Sequence, residues 1–236
     1  MIVDGIGTDR EGEILSLVRK QITEGTVWLH KYDQGNLDGL TRAVRESGDL
    51  RPAFARAVLK LLSDDDRTIR RGAVAFLSEV AQDIGAPALV DLLESRPGLF
   101  YRVKPSRKFP LHYDDLAGAV LVSIGRTTKP DDTRSIAFLR EALKGAHARE
   151  VASSLARVDA DWICDHATLV PREVLGAMLL SLPTPAHRER LVRTLAPWPE
   201  SERELVKDNL FWDMLKTDQA EVEKLKEIIT SDVERD

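Results

Sequence analysis

Gly72-Ala73-Val74-Ala75-Phe76-Leu77 is the stretch on which the fold reading turns. Its pattern of small residues followed by large apolar ones returns at Gly118-Ala119-Val120-Leu121-Val122-Ser123. It returns again at Gly176-Ala177-Met178-Leu179-Leu180-Ser181. The offsets are 46 and then 58 residues, the first close to the roughly 40–47 residues of a two-helix repeat unit. Small residues let a neighbouring helix come close, and the large ones fill the layer between helices. Outward from these segments the periodicity is helical nearly everywhere, as in Ile14, Leu15, Leu17, Val18, Ile22 and in Val58, Leu61, Leu62. No stretch alternates with period two for long enough to make a half-buried strand, so the fold class is all-α.

Breakers divide the pattern into short helices. Gly48-Asp49, Gly85 to Pro87 and Gly125 to Pro130 are the clearest. Thr184-Pro185 reads as an N-cap followed by proline in the first turn, and Ser201 with Glu204 as a capping box. The segments pair as 36–47 with 51–63, 66–82 with 87–95, 114–125 with 131–144, 147–158 with 160–170, 172–182 with 185–196, and 201–216 with 218–231. An N-terminal helix precedes these six hairpins, whose short connections make the partners neighbours.

Asp64–Leu77 resembles a HEAT repeat: Asp64, then Ile69-Arg70, Ala73 and Leu77, with Ala88-Leu89-Val90-Asp91-Leu92-Leu93 as the partner helix. The units at Gly118 and Gly176 lack the arginine, carrying Leu116-Ala117 and Val174-Leu175 ahead of their glycines. The resemblance implies one domain over 1–236, a right-handed α-α superhelix of about six hairpins. It implies a structural pairing role for Asp64 and Arg70, and binding along a concave face. It also admits enzymes on the same scaffold, of the DNA-repair glycosylase or chromophore-lyase kind. Residues 218–236 read as a C-terminal capping helix and tail, with Val222, Leu225, Ile228 and Ile229 as its apolar stripe.

One region breaks the rhythm. Between Arg96 and Tyr113 the prolines Pro97, Pro105 and Pro110 interrupt any helix, and a long non-helical loop is expected over 96–113. It holds Arg96, Arg102, Lys104, Arg107 and Lys108 with no acidic residue, although the chain carries a net −5. Phe100, Tyr101, Phe109 and Tyr113 alternate with these cations. Arginine forks hold carboxylates or phosphates, and aromatics anchor partners or stack on bases. The expected partner-binding set is therefore Phe100, Tyr101, Arg102, Lys104, Arg107, Lys108 and Phe109. The competing reading is a connecting loop with its aromatics packed back on the helices and its cations in water.

Catalytic and metal chemistry is sparse. Gly5-Ile6-Gly7 lacks the strand and third glycine of a dinucleotide site. No P-loop lysine and no His-Glu-x-x-His motif is present. On a helix, Cys164 and His166 lie about 200° apart, which does not suit one ion. Asp159, Asp161 and Asp165 around Trp162 read as a helix N-terminal cap beside a core tryptophan. His187, one turn after Thr184, reads as neither triad nor metal ligand. Trp28, Trp198 and Trp212 read as packing groups. No cofactor, metal or catalytic residue is assigned.

The expected function is a non-enzymatic protein-interaction or scaffold module, using the concave face and the basic loop. A nucleic-acid-binding HEAT-like protein, extended to glycosylase-type repair chemistry, is the alternative, and the net −5 opposes it. Met1–Arg10 has no basic start ahead of an apolar stretch, and no apolar run approaches the roughly 18 residues of a membrane span. A single cysteine permits no internal disulfide. A cytoplasmic location without membrane contact is expected.

Overall fold

The structure, a computed structural model, describes residues 10–25, 48–101, 116–170, 174, 178–179, 181–195, 220, 223–225 and 227. Among them every regular element is a helix and no strand occurs. The chain divides into two compact units, 1–127 and 128–236. The boundary falls within the expected hairpin 114–125/131–144.

The first unit contains α1 (Arg10–Gly25), α2 (Arg51–Leu62), α3 (Arg67–Ile84), α4 (Ala86–Ser95), α5 (Pro97–Phe100) and α6 (Ala117–Thr127). On α1 the buried side chains are Ile14, Val18 and Ile22, a stripe with a spacing of four that faces α2 and α3. Glu11 ties the same helix to α2 through Arg56 and Lys60. The Lys60 hydrogen bond, then that of Arg56, holds the Glu11 carboxyl below its ordinary range.

A one-turn 3-10 segment, Gly48–Leu50, leads into α2, and Pro52 occupies the first helical turn, where a missing N–H costs nothing. Asp66 caps α3, its Oδ1 accepting the Thr68 N–H at 2.8 Å. Gly85 ends α3 with φ 82°, the one positive φ among the described residues, and Pro87 then sits in the first turn of α4. That left-handed backbone is why the breaker there is a glycine.

The helix most extensively packed on α3 is α2, not the expected partner α4. Arg51, at the start of α2, donates to Asp83 at the end of α3 (2.8 Å) and to the Glu79 carbonyl (2.9 Å). The two helices are therefore antiparallel, joined by the turn 63–66. Arg70 holds this turn. It is 8% exposed, and its Nη1 donates to the Asp64 and Asp65 carbonyls at 2.7 and 2.9 Å. The expected Asp64–Arg70 pair thus exists through the backbone. The Asp64 carboxylate instead accepts the Asp66 N–H and pairs with Arg19 of α1 at 2.8 Å. Helix α6 then packs on α3 and α4.

The second unit contains α7 (Thr133–Ala142), α8 (Ala148–Val158), α9 (Ala160–Asp165), the 3-10 turn Ala167–Leu169 and α10 (Pro185–Leu195). Helix α8 packs on α7 and α9, and α10 packs on α9 and the 3-10 turn. Leu139, Val151, Ala152, Leu155, Ile163, Leu191 and Val192 are fully buried. Leu225 is also buried, at 2% exposure.

Asp132 caps α7 by accepting the Ser135 N–H at 3.0 Å. The Ser135 hydroxyl, fully buried, has no hydrogen-bond partner. Ser135→Ala removes that unsatisfied group and keeps the cap, because the cap uses the backbone N–H. The expected result is a gain of about 1 kcal/mol, read as a higher denaturant midpoint with an unchanged slope. A loss of stability would mean that the hydroxyl is satisfied.

Of the Gly176 unit the structure describes Met178, Leu179 and Ser181, all helical, with Met178 and Leu179 fully buried. The expected helices over 36–47 and 201–216, Trp28, Trp198 and Trp212 lie outside the described residues. So does most of the expected capping helix.

Candidate functional site

Of the seven expected partner-binding residues, the structure describes two. Phe100 ends the short helix α5, packed against α4, and is 2% exposed. It is a core residue and is withdrawn from the contact set. The reason is local: Pro97, read as a breaker, instead starts one helical turn, closed by the Tyr101 N–H on the Pro97 carbonyl at 2.9 Å. That turn aims Phe100 inward. It also shortens the expected non-helical stretch, which began at 96. Tyr101 is half-buried. Arg102, Lys104, Arg107, Lys108 and Phe109 lie outside the described residues.

At the other end of that stretch Leu116 is buried, followed by the fully buried Ala117 of α6. Arg96 sits at its base, Nη1 donating to the Ser63 carbonyl at the end of α2 (3.2 Å). A shallow groove of about 630 Å³ runs beside this contact, lined by Leu59, Ser63, Ala88, Asp91, Leu92, Glu94 and Ser95. Its floor is aliphatic and its rim carries two carboxylates.

The second unit gathers a different set. Asp159 precedes α9, yet its side chain caps nothing there. It accepts from Arg140 of α7 at 2.7 Å, and the Arg140 guanidinium lies 4.8 Å from the centre of the Trp162 ring. His166 stacks on Trp162 at 4.6 Å with 12° between the planes, and its Nδ1 lies 2.9 Å from the Trp162 carbonyl oxygen. Arg140 and Trp162 thus lock α7 to the start of α9 by an ion pair and a cation–π contact. The expected cap of three aspartates resolves into different tasks. Asp159 holds Arg140, while Asp161 and Asp165 both bind Arg190 of α10.

His187, read from the sequence as neither triad nor metal ligand, meets polar groups from two other positions. Its Nδ1 is 2.6 Å from the Thr184 hydroxyl oxygen, and its Nε2 is 3.5 Å from Asp161 Oδ1. Thr184 also accepts the His187 backbone N–H at 3.3 Å, as the Thr184-Pro185 signal predicts. Cys164, buried beneath, donates to the His187 carbonyl at 3.4 Å. Burial pushes its thiol pKa upward, so it is a packing and hydrogen-bonding group, not a thiolate. The Thr184–His187 spacing of three was visible in the sequence. Asp161, 26 positions earlier, reaches His187 only because α9 packs on α10.

Among the described residues no cluster of His, Cys, Asp or Glu could hold a metal ion, and no helix is long and apolar enough to cross a membrane. Comparison with known proteins finds no matching family model, no curated relative and no matching solved structure.

Proposed function

We propose that the chain is a protein-interaction module of HEAT-like construction that takes an acidic protein partner on the cation- and aromatic-rich segment 102–109. The HEAT-like part of the reading is supported by the antiparallel α2–α3 pair, by Arg70 binding the turn carbonyls, and by the continuation of the packing to α6. The binding part is supported chiefly by one observation. Phe100 and Leu116, which flank in sequence the stretch with Arg102, Lys104, Arg107 and Lys108, are both buried in unit 1–127. A segment anchored at both ends pays less ordering cost on binding than a free tail.

A protein partner is favoured over nucleic acid because the chain is net −5 and Arg19, Arg51, Arg56, Arg140, Arg190 and Arg193 are paired with carboxylates. The tagged protein, captured from its native extract with and without nuclease, tests this. A partner recovered in both samples supports the reading, and recovery that vanishes with nuclease replaces it with the nucleic-acid alternative.

Arg102→Glu/Arg107→Glu/Lys108→Glu is then expected to weaken the identified complex by about 100-fold or more, since each reversal places like charges together. An unchanged affinity in a titration would remove the segment from the interface.

A further inference from the structure

The geometry points to a second, chemically distinct site in unit 128–236: Thr184, His187 and Asp161 form a hydroxyl–imidazole–carboxylate relay whose Thr184 oxygen accepts an acyl group from small activated carboxylic esters. It uses none of the residues assigned to partner binding.

Two placements define the relay. Thr184 Oγ1 and His187 Nδ1 are 2.6 Å apart, within reach of direct proton transfer. Asp161 Oδ1 is 3.5 Å from the other ring nitrogen, on the far side of the imidazole from the hydroxyl. A nucleophile on a base that is oriented by a third group is the signature of an activated hydroxyl. With Nδ1 accepting from Thr184, Nε2 carries the ring proton toward Asp161, the tautomer that general-base action requires.

Neighbouring groups fix the relay. The Cys164 thiol holds the His187 backbone carbonyl, and Arg190 binds both Asp161 and Asp165, which fixes the carboxylate facing Nε2. Thr184 is exposed, so the oxygen is open to small molecules. The first turn of α10 lies immediately beyond it. Pro185 has no N–H and that of His187 is taken by Thr184, so the Ala186 N–H and the partial positive charge of the helix start are what would favour a developing oxyanion. Thr184 is exposed, so selectivity is expected to follow ester reactivity.

The step balances without a further reagent. The Thr184 O–H proton passes to His187 Nδ1 as Oγ1 forms a bond to the carbonyl carbon. The tetrahedral centre collapses, the bond to the leaving alkoxide or aryloxide breaks, and His187 returns the proton to it. Thr184 is left as an acyl ester. Water, deprotonated by the same imidazole, then releases the carboxylic acid.

Thr184 is also the N-cap of α10, so the variants must separate reactivity from capping. The full chain is treated with p-nitrophenyl acetate, nitrophenolate release is followed, and the digested protein is searched by mass spectrometry for an acetyl group on Thr184. The wild type and Thr184→Ser are expected to carry the adduct. Thr184→Asp keeps a good cap and loses the nucleophile. It should show wild-type melting and no adduct at 184. His187→Gln should slow release at least about tenfold, the low side of what a positioned base supplies. Acetylation found only on lysines, or a Thr184 adduct formed equally fast in His187→Gln, overturns the proposal and leaves a helix cap alone.

Discussion

Phe100→Ala lowers the stability of unit 1–127 by about 3–5 kcal/mol, the usual cost of emptying a fully packed phenylalanine site. The side chain is 2% exposed at the end of α5, a short helix packed on α4, whose Leu89, Leu92 and Leu93 are buried. Its removal opens a void where α5 packs on α4. Faster amide exchange in 86–95 than in the wild type would locate the loss. The measurement also decides between the two readings of this residue. A surface anchor replaced by alanine changes folding stability by no more than about 0.5 kcal/mol. If that small value were found, Phe100 would return to the contact set.

The second large effect sits where α1 crosses α3. A Cβ built on Gly72 would lie 2.3 Å from Ile22 Cγ2, 2.8 Å from Cγ1 and 3.1 Å from Cβ. These atoms belong to a β-branched, fully packed side chain whose rotamer is stiff, so the clash is relieved only by moving one helix from the other. Gly72→Ala therefore sets a helix-propensity gain of about 1 kcal/mol against an overpacking cost of about 1–3 kcal/mol. A net loss of about 1 kcal/mol is expected. Gly72→Leu, with more volume to place, is expected to cost about 3 kcal/mol or more.

The pair Gly72→Leu/Ile22→Ala provides the check. Each change alone destabilises. Together they share one volume, and the double variant should be less destabilised than the sum by about 1–3 kcal/mol. Strict additivity in denaturant melts would mean that the two helices do not meet at this point.

These two predictions bear on different parts of the functional reading. Gly72 and Arg70 concern whether unit 1–127 is built as a close-packed helical repeat. Phe100 concerns where the core stops and the cation-rich segment begins. With Phe100 in the core, the proposed contact surface starts beyond it, and its aromatic anchors reduce to Tyr101 and Phe109. The tyrosine is half-buried, so it also braces the start of the segment. The relay at Thr184 stands apart from both, in the other compact unit, and its test does not depend on either.

The all-helical class, several helix starts and the break at Gly85 were legible in the residues, whereas Gly125, read as the start of a break, lies inside α6. Those signals are local. A 3.6-residue period, an Asp66 or Thr184 before a helix, a proline in a first turn and a Gly85 at positive φ each act within a few positions of themselves. What the tertiary structure decided was pairing. Short helices of similar composition carry no label for their partner, and α3 packs on α2, whose Arg51 binds Asp83 while Arg70 holds the turn between them. Phe100 sat among prolines and cations, a context that reads the same whether the ring faces water or core. Its burial was set by α4. His187 was in plain view, but the carboxylate that completes its environment comes from another helix. Periodicity and capping are written along the chain, whereas burial and the meeting of Asp161 with His187 arise from contacts between segments that are distant in sequence.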